Sequence, residues 1–316
     1  MTALSLIQNV RKAALMDRII EIAQDSRHLA TEHGFMTVSE NGSEIGRVPL
    51  DQIGAVIANA HGLTYSNNLL VRLAEQNAPL VICGSNHVPV SVMLPLDGHH
   101  LQGDIITAQA AMKQTTLNRF WKEIIQAKIR QQAEVLDACG LPDKPLRYMI
   151  PQIKSGDPEN LEGQAARFYF QTFFGKAFRR DRTQQGINAL LNYGYTILRS
   201  AVIRAIVGAG LHPSLGIHHC NQYNPMRLAD DLMEPFRPLV DFCVHRLVVD
   251  KVEEVNTVAK KRLVSLLSCT AQTDKGAIEI NTQILNLAVS MAKCALGQTE
   301  KLDLPPPMTG MALWGL

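Results

Sequence analysis

The chain predicts an α+β protein, with a small N-terminal β-strand domain followed by a larger all-helical domain. Three features carry that prediction. Through the first hundred positions, apolar residues alternate or run in short β-branched blocks. Asn41-Gly42 separates two of these blocks as a two-residue hairpin turn. Beyond Asp104 the spacing lengthens to three and four, as in Leu117, Trp121, Ile124, Ile125 and Ile129. A chain of 316 residues accommodates two domains. They are placed at 1–100 and 104–316, with the change of character at 97–104.

The elements follow in order. Ala30 to Ser39 alternates loosely, and Ile45 to Val48 returns after the Asn41-Gly42 turn as its partner strand. Ile53 to Ala58 and Leu80 to Cys83 are short apolar runs of the kind that form buried strands. Ser66 between them reads as the N-cap of a helix over Asn67 to Gln76. Val88 to Leu94 alternates again, and Asp97-Gly98 marks a turn. Helical spacing then covers 112–136, and further helices are predicted over 160–175, 184–208, 229–250, 255–269 and 279–296. Gly297 supplies a C-terminal stop. Pro305-Pro306-Pro307 predicts an extended, mobile tail.

Apolar residues make up 46% of the chain and charged residues 19%, a packed globular composition, and a net charge of +2 does not by itself select a partner. Six cysteines, at 83, 139, 220, 243, 269 and 294, include no CxxC pair, so neither a zinc ribbon nor a disulfide framework is expected. Arg11, Lys12, Asp17 and Arg18 interrupt the early apolar runs and deny them a signal-peptide core. No uncharged apolar run approaches the roughly 18 residues of a membrane-spanning helix. The expectation is a prokaryotic cytoplasmic protein with no membrane partner. There is no phosphate-binding loop ending in Lys-Ser or Lys-Thr, no GxGxxG after a strand and no GxSxG. Chemistry driven by nucleotide hydrolysis is therefore not indicated.

Two segments concentrate chemical groups. The first is Leu161-Glu162-Gly163-Gln164-Ala165-Ala166-Arg167-Phe168-Tyr169-Phe170. The second runs from Gly216-Ile217-His218-His219 into Asp230-Asp231-Leu232-Met233-Glu234-Pro235-Phe236-Arg237-Pro238. Carboxylate, imidazole and carboxylate groups embedded in apolar helical sequence are the raw material of a hard-metal site. Each residue also has a plainer explanation. Glu162 favours a helix N-terminus electrostatically, and Asp230, Asp231 and Glu234 read as capping acids ahead of a proline-bearing helix. Asp231 and Glu234, three apart, share a helical face and can serve one metal shell. Small residues at 163, 165 and 166 allow another backbone or a ligand to approach. Lys176, Arg179, Arg180 and Arg182 form a basic run whose default is a solvated face. If Lys176, Arg179 and Arg180 share a helical face, they suit a phosphate backbone instead. Arg167, Arg227 and Arg237 are candidates for stabilising a charged phosphorane-like centre.

The EGxAARxYF helix, the GxxH turn and the DLMEPFRP helix together resemble the signatures of CRISPR-associated protein one, the spacer-acquisition integrase of CRISPR systems, in its type II branch. Asn188 and Asn192 lie in a segment that also looks like a family helix. The resemblance implies a dimerising β domain and a helical domain whose catalytic metal ligands are Glu162, His219 and Glu234, with Asp231 as an auxiliary acid. Within the His-His pair it selects His219 and leaves His218 as a neighbouring or phosphate contact. The implied cofactor is Mg2+ or Mn2+. The implied reaction joins 3′-hydroxyl ends of foreign duplex DNA into the CRISPR repeat, with a homodimer working beside the small CRISPR-associated protein two. Two alternatives share the same residues: a structure-specific metal-dependent nuclease outside spacer acquisition, and a non-catalytic DNA-binding scaffold.

Overall fold

The computed structural model describes residues 18–84, 89–95, 99–181, 183–273 and 276–307. The expectations for the first seventeen residues, for Val88, for the Asp97-Gly98 turn and for Arg182 lie outside the described residues. The N-terminal region holds β1 (Arg18–Ile22), β2 (Arg27–Glu32), β3 (Phe35–Glu40), β4 (Ser43–Pro49), β5 (Ile53–Ala58), β6 (Leu63–Tyr65), α1 (Asn67–Glu75), β7 (Leu80–Cys83) and β8 (Pro89–Met93). One four-stranded sheet has the order β4-β3-β2-β6 and the other β1-β5-β7-β8.

In the first sheet β2, β3 and β4 form a meander made by two tight turns, and β6 joins β2 in parallel. Asn41 and Gly42 both take positive φ, 49° and 80°, so Glu40 faces Ser43 as the Asn-Gly signal predicts. His33 and Gly34 make a second such turn at 47° and 84°, with Glu32 facing Phe35. Ala30 to Ser39 is therefore two strands rather than one. Histidine at the first position, in place of the usual Asn or Asp, hides this turn in the sequence.

In the second sheet, β1, β5 and β7 are parallel and β8 closes the edge antiparallel to β7. The chain passes from β5 to β7 through α1, whose N-cap Ser66 accepts a hydrogen bond from the Leu69 amide at 3.2 Å. Every residue of β5 is buried, because the sheet is covered on both faces. Val56 and Ala58 pack with Leu29, Met36, Leu69 and Leu73. Ala55 and Ile57, pointing the other way along the pleat, join the core of the helical region.

That region begins with α2 (Gln102–Ala110) and α3 (Gln114–Ala138), followed by α4 (Lys144–Met149), α5 (Leu161–Phe174), α6 (Ile187–Gly208) and α7 (Arg227–Leu232). It ends with α8 (Arg237–Val249), α9 (Thr257–Ser265), β9 (Thr270–Thr273), β10 (Gly276–Glu279) and α10 (Ile280–Ala295). Three expectations are corrected. The helix predicted over 229–250 is two, because Pro235 and Pro238 each occupy the opening of a new helical segment, where a missing N–H costs nothing. A 3-10 turn, Glu234–Phe236, joins them. The region is not all-helical: β9 and β10 pair as an antiparallel hairpin, and strands of four residues are too short for their period to register. Finally, the proline-rich tail, expected to be mobile, is held as far as Pro306. Gln131 Nε2 donates to the Pro306 carbonyl at 2.8 Å, the Asp303 amide donates to Ser290 Oγ at 2.8 Å, and Leu302 is buried.

All six cysteines are unpaired thiols. Among the described residues no helix is long and apolar enough to cross a membrane.

Candidate active site

The N-terminus of α5 positions Glu162. Asp157 accepts the amides of Leu161 and Glu162, each at 2.9 Å, while Asn160, in the left-handed region at φ 51°, accepts the Gly163 amide at 3.2 Å. A Cβ on residue 163 would lie 2.8 Å from Asn160 Oδ1. The glycine thus makes room for the helix's own cap, not for a second backbone or a ligand. With the cap supplied by Asp157 and Asn160, the Glu162 carboxylate is turned to an ion pair with Lys128 of α3.

The loop before α7 positions His219. Asp231 is fully buried. Its Oδ2 accepts the amides of Ile217 at 2.6 Å and His218 at 3.1 Å, and its Oδ1 the amide of His219 at 3.2 Å. His219 Nδ1 lies 2.6 Å from Asp231 Oδ1, a bond that raises the imidazole's pKa although burial opposes it. A Cβ on Gly216 would stand 3.0 Å from Asp231 Oδ2 and 2.9 Å from the His219 carbonyl, so the turn needs glycine to seat the carboxylate. The shell expected to be shared by Asp231 and Glu234 is therefore not what this geometry provides. Asp231 spends both oxygens on loop and ring, which leaves His219 Nε2 as the nitrogen for ligation. His218 stacks on Trp121 of α3, ring centroids 4.2 Å apart and planes 4° from parallel, and Trp121 also meets the His219 ring at 5.7 Å. Burial lowers the His218 pKa.

Glu234 opens the 3-10 turn, with its side chain 6% exposed. Its Oε1 lies 3.1 Å from Arg237 Nε, and its Oε2 lies 2.6 Å from Lys128 Nζ without the direction of a hydrogen bond. Burial works against the ionised form of Glu234, yet Arg237 and then Lys128 outweigh it and hold the pKa below the ordinary value. One ammonium thus bridges two carboxylates from different elements, and its side chain is only 8% exposed. Two carboxylates and an imidazole are donors suited to Mg2+ or Mn2+, and the buried Glu234 Oε2, lacking a directed donor, fits a cation. Among the described residues no three such side chains stand ready to hold an ion as they lie; Lys128 takes the place between the two glutamates.

Beside His219 a groove of about 710 Å³ is lined by Arg180, Asn192, Tyr195, Arg199, Arg237 and the edge strand β8, among others. The basic run does not form a helical face. After Gly175, which ends α5 at φ 100°, Lys176, Arg179 and Arg180 lie in a loop. Lys176 and Arg179 are exposed. Arg180 is anchored instead, donating to Asn188 Oδ1 at 2.9 Å and Asn192 Oδ1 at 2.6 Å over the Tyr195 ring. Arg237 lies over the same ring, 5.0 Å from its centroid. Arg227 donates to the Asn221 carbonyl at 3.0 Å, and Arg167 is exposed on α5. Tyr195 donates to Asp241, whose carboxyl burial raises to about 7.

Lys128, Trp121, Tyr195 and Asp241 were missed as site residues. For Lys128 a signal existed: it continues the apolar stripe of Trp121, Ile124, Ile125 and Ile129, where a solvated lysine does not belong.

Two acidic ligand candidates and an imidazole beside an arginine-lined groove form a centre suited to holding a divalent cation against a polyanion. Comparison with known proteins then identifies the family. Residues 20–262 match the family model described as CRISPR associated protein Cas1, and the chain belongs to that family. The CRISPR-associated endonuclease Cas1 of Neisseria meningitidis serogroup C (strain 8013) is 36% identical over 228 residues, covering 72% of this chain and 74% of the relative. Among solved structures, a casposase bound to integration product aligns with a TM-score of 0.78 at 20% identity, over 93% of this chain and 94% of that one. A Cas6-RT-Cas1–Cas2 complex aligns with a TM-score of 0.74 at 19% identity, over 94% of this chain and 37% of that one. At these identities the structures share the fold.

Proposed function

We propose that the chain is a metal-dependent DNA endonuclease and integrase of CRISPR adaptation, of the type II branch, joining 3′-hydroxyl ends of foreign DNA fragments into the CRISPR repeat. The observation that carries this reading is the convergence of Glu162 and Glu234 on one buried cation beside His219, at the edge of the groove. The relative named an endonuclease and the casposase bound to its integration product support the activity. The Cas6-RT-Cas1–Cas2 complex supports work beside the small CRISPR-associated protein two, and the homodimer is proposed from the family resemblance.

The residues divide the labour. Glu162, His219 Nε2 and Glu234 would hold Mg2+ or Mn2+, which supplies charge stabilisation at the scissile phosphate and alignment of the attacking oxygen. Asp231 fixes the imidazole's orientation, and Arg237 keeps Glu234 ionised. Arg180, held by Asn188 and Asn192, presents positive charge to a strand in the groove. The incoming 3′-hydroxyl oxygen forms a bond to phosphorus as the bond to the repeat's 3′-oxygen breaks. One phosphodiester replaces another, so no nucleotide cofactor is consumed. Residues 1–100 would supply dimerisation and 104–316 the chemistry. Ala55 and Ile57 share the helical core, and Glu21 accepts from Tyr193 at 2.6 Å and Lys260 at 3.0 Å. A 104–316 fragment is therefore expected to melt below the full chain and to remain monomeric on a sizing column; a dimeric fragment would move dimerisation elsewhere.

The function is tested with purified protein, a labelled short duplex and a supercoiled repeat-bearing plasmid, with and without Mg2+ and the small partner. Joined product that needs both is expected. Metal-dependent cleavage indifferent to the partner and the repeat would favour a free-standing nuclease, and binding without strand transfer a scaffold.

A further inference from the structure

Lys128 sits on the apolar stripe of α3 with its ammonium against Glu162 Oε1 and 2.6 Å from Glu234 Oε2. A buried ammonium is costly unless paired, and here it is paired twice, with the two carboxylates assigned to the metal. The charges are already balanced: Lys128 and Arg237 match Glu162 and Glu234. Arg237 contacts Glu234 through the other oxygen and packs on Tyr195, so its place is fixed from two sides. Lys128 is a compact charge on a flexible four-carbon stem. A divalent ion within about 2.1 Å of Glu234 Oε2 would stand less than about 5 Å from an ammonium held at that same oxygen. Both cations cannot keep the oxygen without strong repulsion at low dielectric.

We propose that Lys128 is a resident cation that holds the Glu162–Glu234 pair together before metal loading and is displaced when a divalent metal binds. This rests on the metal reading of Glu162, His219 and Glu234. Its consequence is an affinity set by competition: the lysine keeps the acidic pair folded and lowers the metal affinity that the ligands alone would give.

The test is calorimetric titration of Mn2+ into the full-length protein without DNA, comparing wild type with Lys128→Met and Lys128→Gln, and with Glu162→Gln as the ligand control. Both lysine variants are expected to bind Mn2+ at least tenfold more tightly than wild type. They are also expected to melt lower without metal and to gain more on adding it. Equal or weaker binding by the variants, with wild-type binding abolished by Glu162→Gln, overturns the role of Lys128 and leaves the metal reading intact. Absence of Mn2+ binding in every protein overturns both. Should neither lysine variant fold, labelling of wild-type Lys128 with an amine-directed reagent decides. A several-fold rise in labelling at saturating Mn2+ supports displacement, and unchanged labelling with Mn2+ bound overturns it.

Discussion

Two carboxylates one helical turn apart, Asp231 and Glu234, are buried to nearly the same degree and hold their surroundings in opposite ways. Asp231 is satisfied by three backbone amides and one ring nitrogen of the 217–219 loop, partners that cannot leave unless the loop unfolds. Glu234 is instead ion-paired with the side chains of Lys128 and Arg237, with its Oε2 lacking a directed donor, and Lys128 is the partner proposed to move aside. The contrast separates a structural anchor from an exchangeable site. Adjacent acids of one signature motif thus divide into the group that aims the histidine and the group open to a different cation.

The widest separation between the two is expected in catalysis. Glu162→Gln, His219→Ala and Glu234→Gln should each reduce strand joining by at least about 10³-fold, roughly 4 kcal/mol of transition-state stabilisation, while circular dichroism shows a folded chain. Near-normal joining by any of them would remove that residue from the centre. His218→Ala, which loses a stack on Trp121, should be far milder. The next effect belongs to the anchor. Asp231→Ala leaves several buried donors without an acceptor and is expected to cost about 3 kcal/mol or more in urea unfolding, whereas a loss under about 1 kcal/mol would show that the loop is not held by this carboxylate.

A smaller effect concerns Asp241, whose pKa burial raises from 3.8 to about 7. A raised folded-state pKa means that the native chain binds the proton more tightly than the unfolded chain. The resulting stability is full below about pH 4 and is lost as pH rises through about 7. Asp241→Asn should flatten that part of the melting-temperature profile. An identical profile in the variant would place the titration elsewhere. Smallest is the contribution of the basic loop: Arg179→Ala is expected to reduce the salt dependence of DNA binding by about 0.9 in log–log slope, for every DNA sequence alike. No change in slope would return Arg179 to the solvated surface.

Local patterns made much of the fold legible. Ile53 to Ala58 is a buried strand, Leu80 to Cys83 is a strand buried except at Ile82, Asn41-Gly42 is a hairpin turn, and Ser66 caps its helix. The sequence was silent where the deciding contact is distant. Nothing near Asp231 announces that its oxygens are taken by residues 217–219, and nothing near Lys128 names Glu162 or Glu234 as partners. The end of the helix near 175 was legible, and Gly175 with its positive φ sets it; the helical face conditionally offered for Lys176, Arg179 and Arg180 does not form, because these residues follow that stop in a loop. The site's ligand candidates were legible only as motifs, since a lone glutamate at a helix start has a sufficient explanation in the helix dipole.

The central claim is that one divalent cation sits between Glu162, His219 and Glu234 where Lys128 now lies. It is tested most directly by an anomalous-scattering map of crystals grown with Mn2+. The account expects a single strong peak within roughly 2.0–2.3 Å of both carboxylates and His219 Nε2, with the Lys128 ammonium withdrawn from Glu234. A peak elsewhere, or none at saturating Mn2+ with Lys128 still bridging the two glutamates, would contradict it.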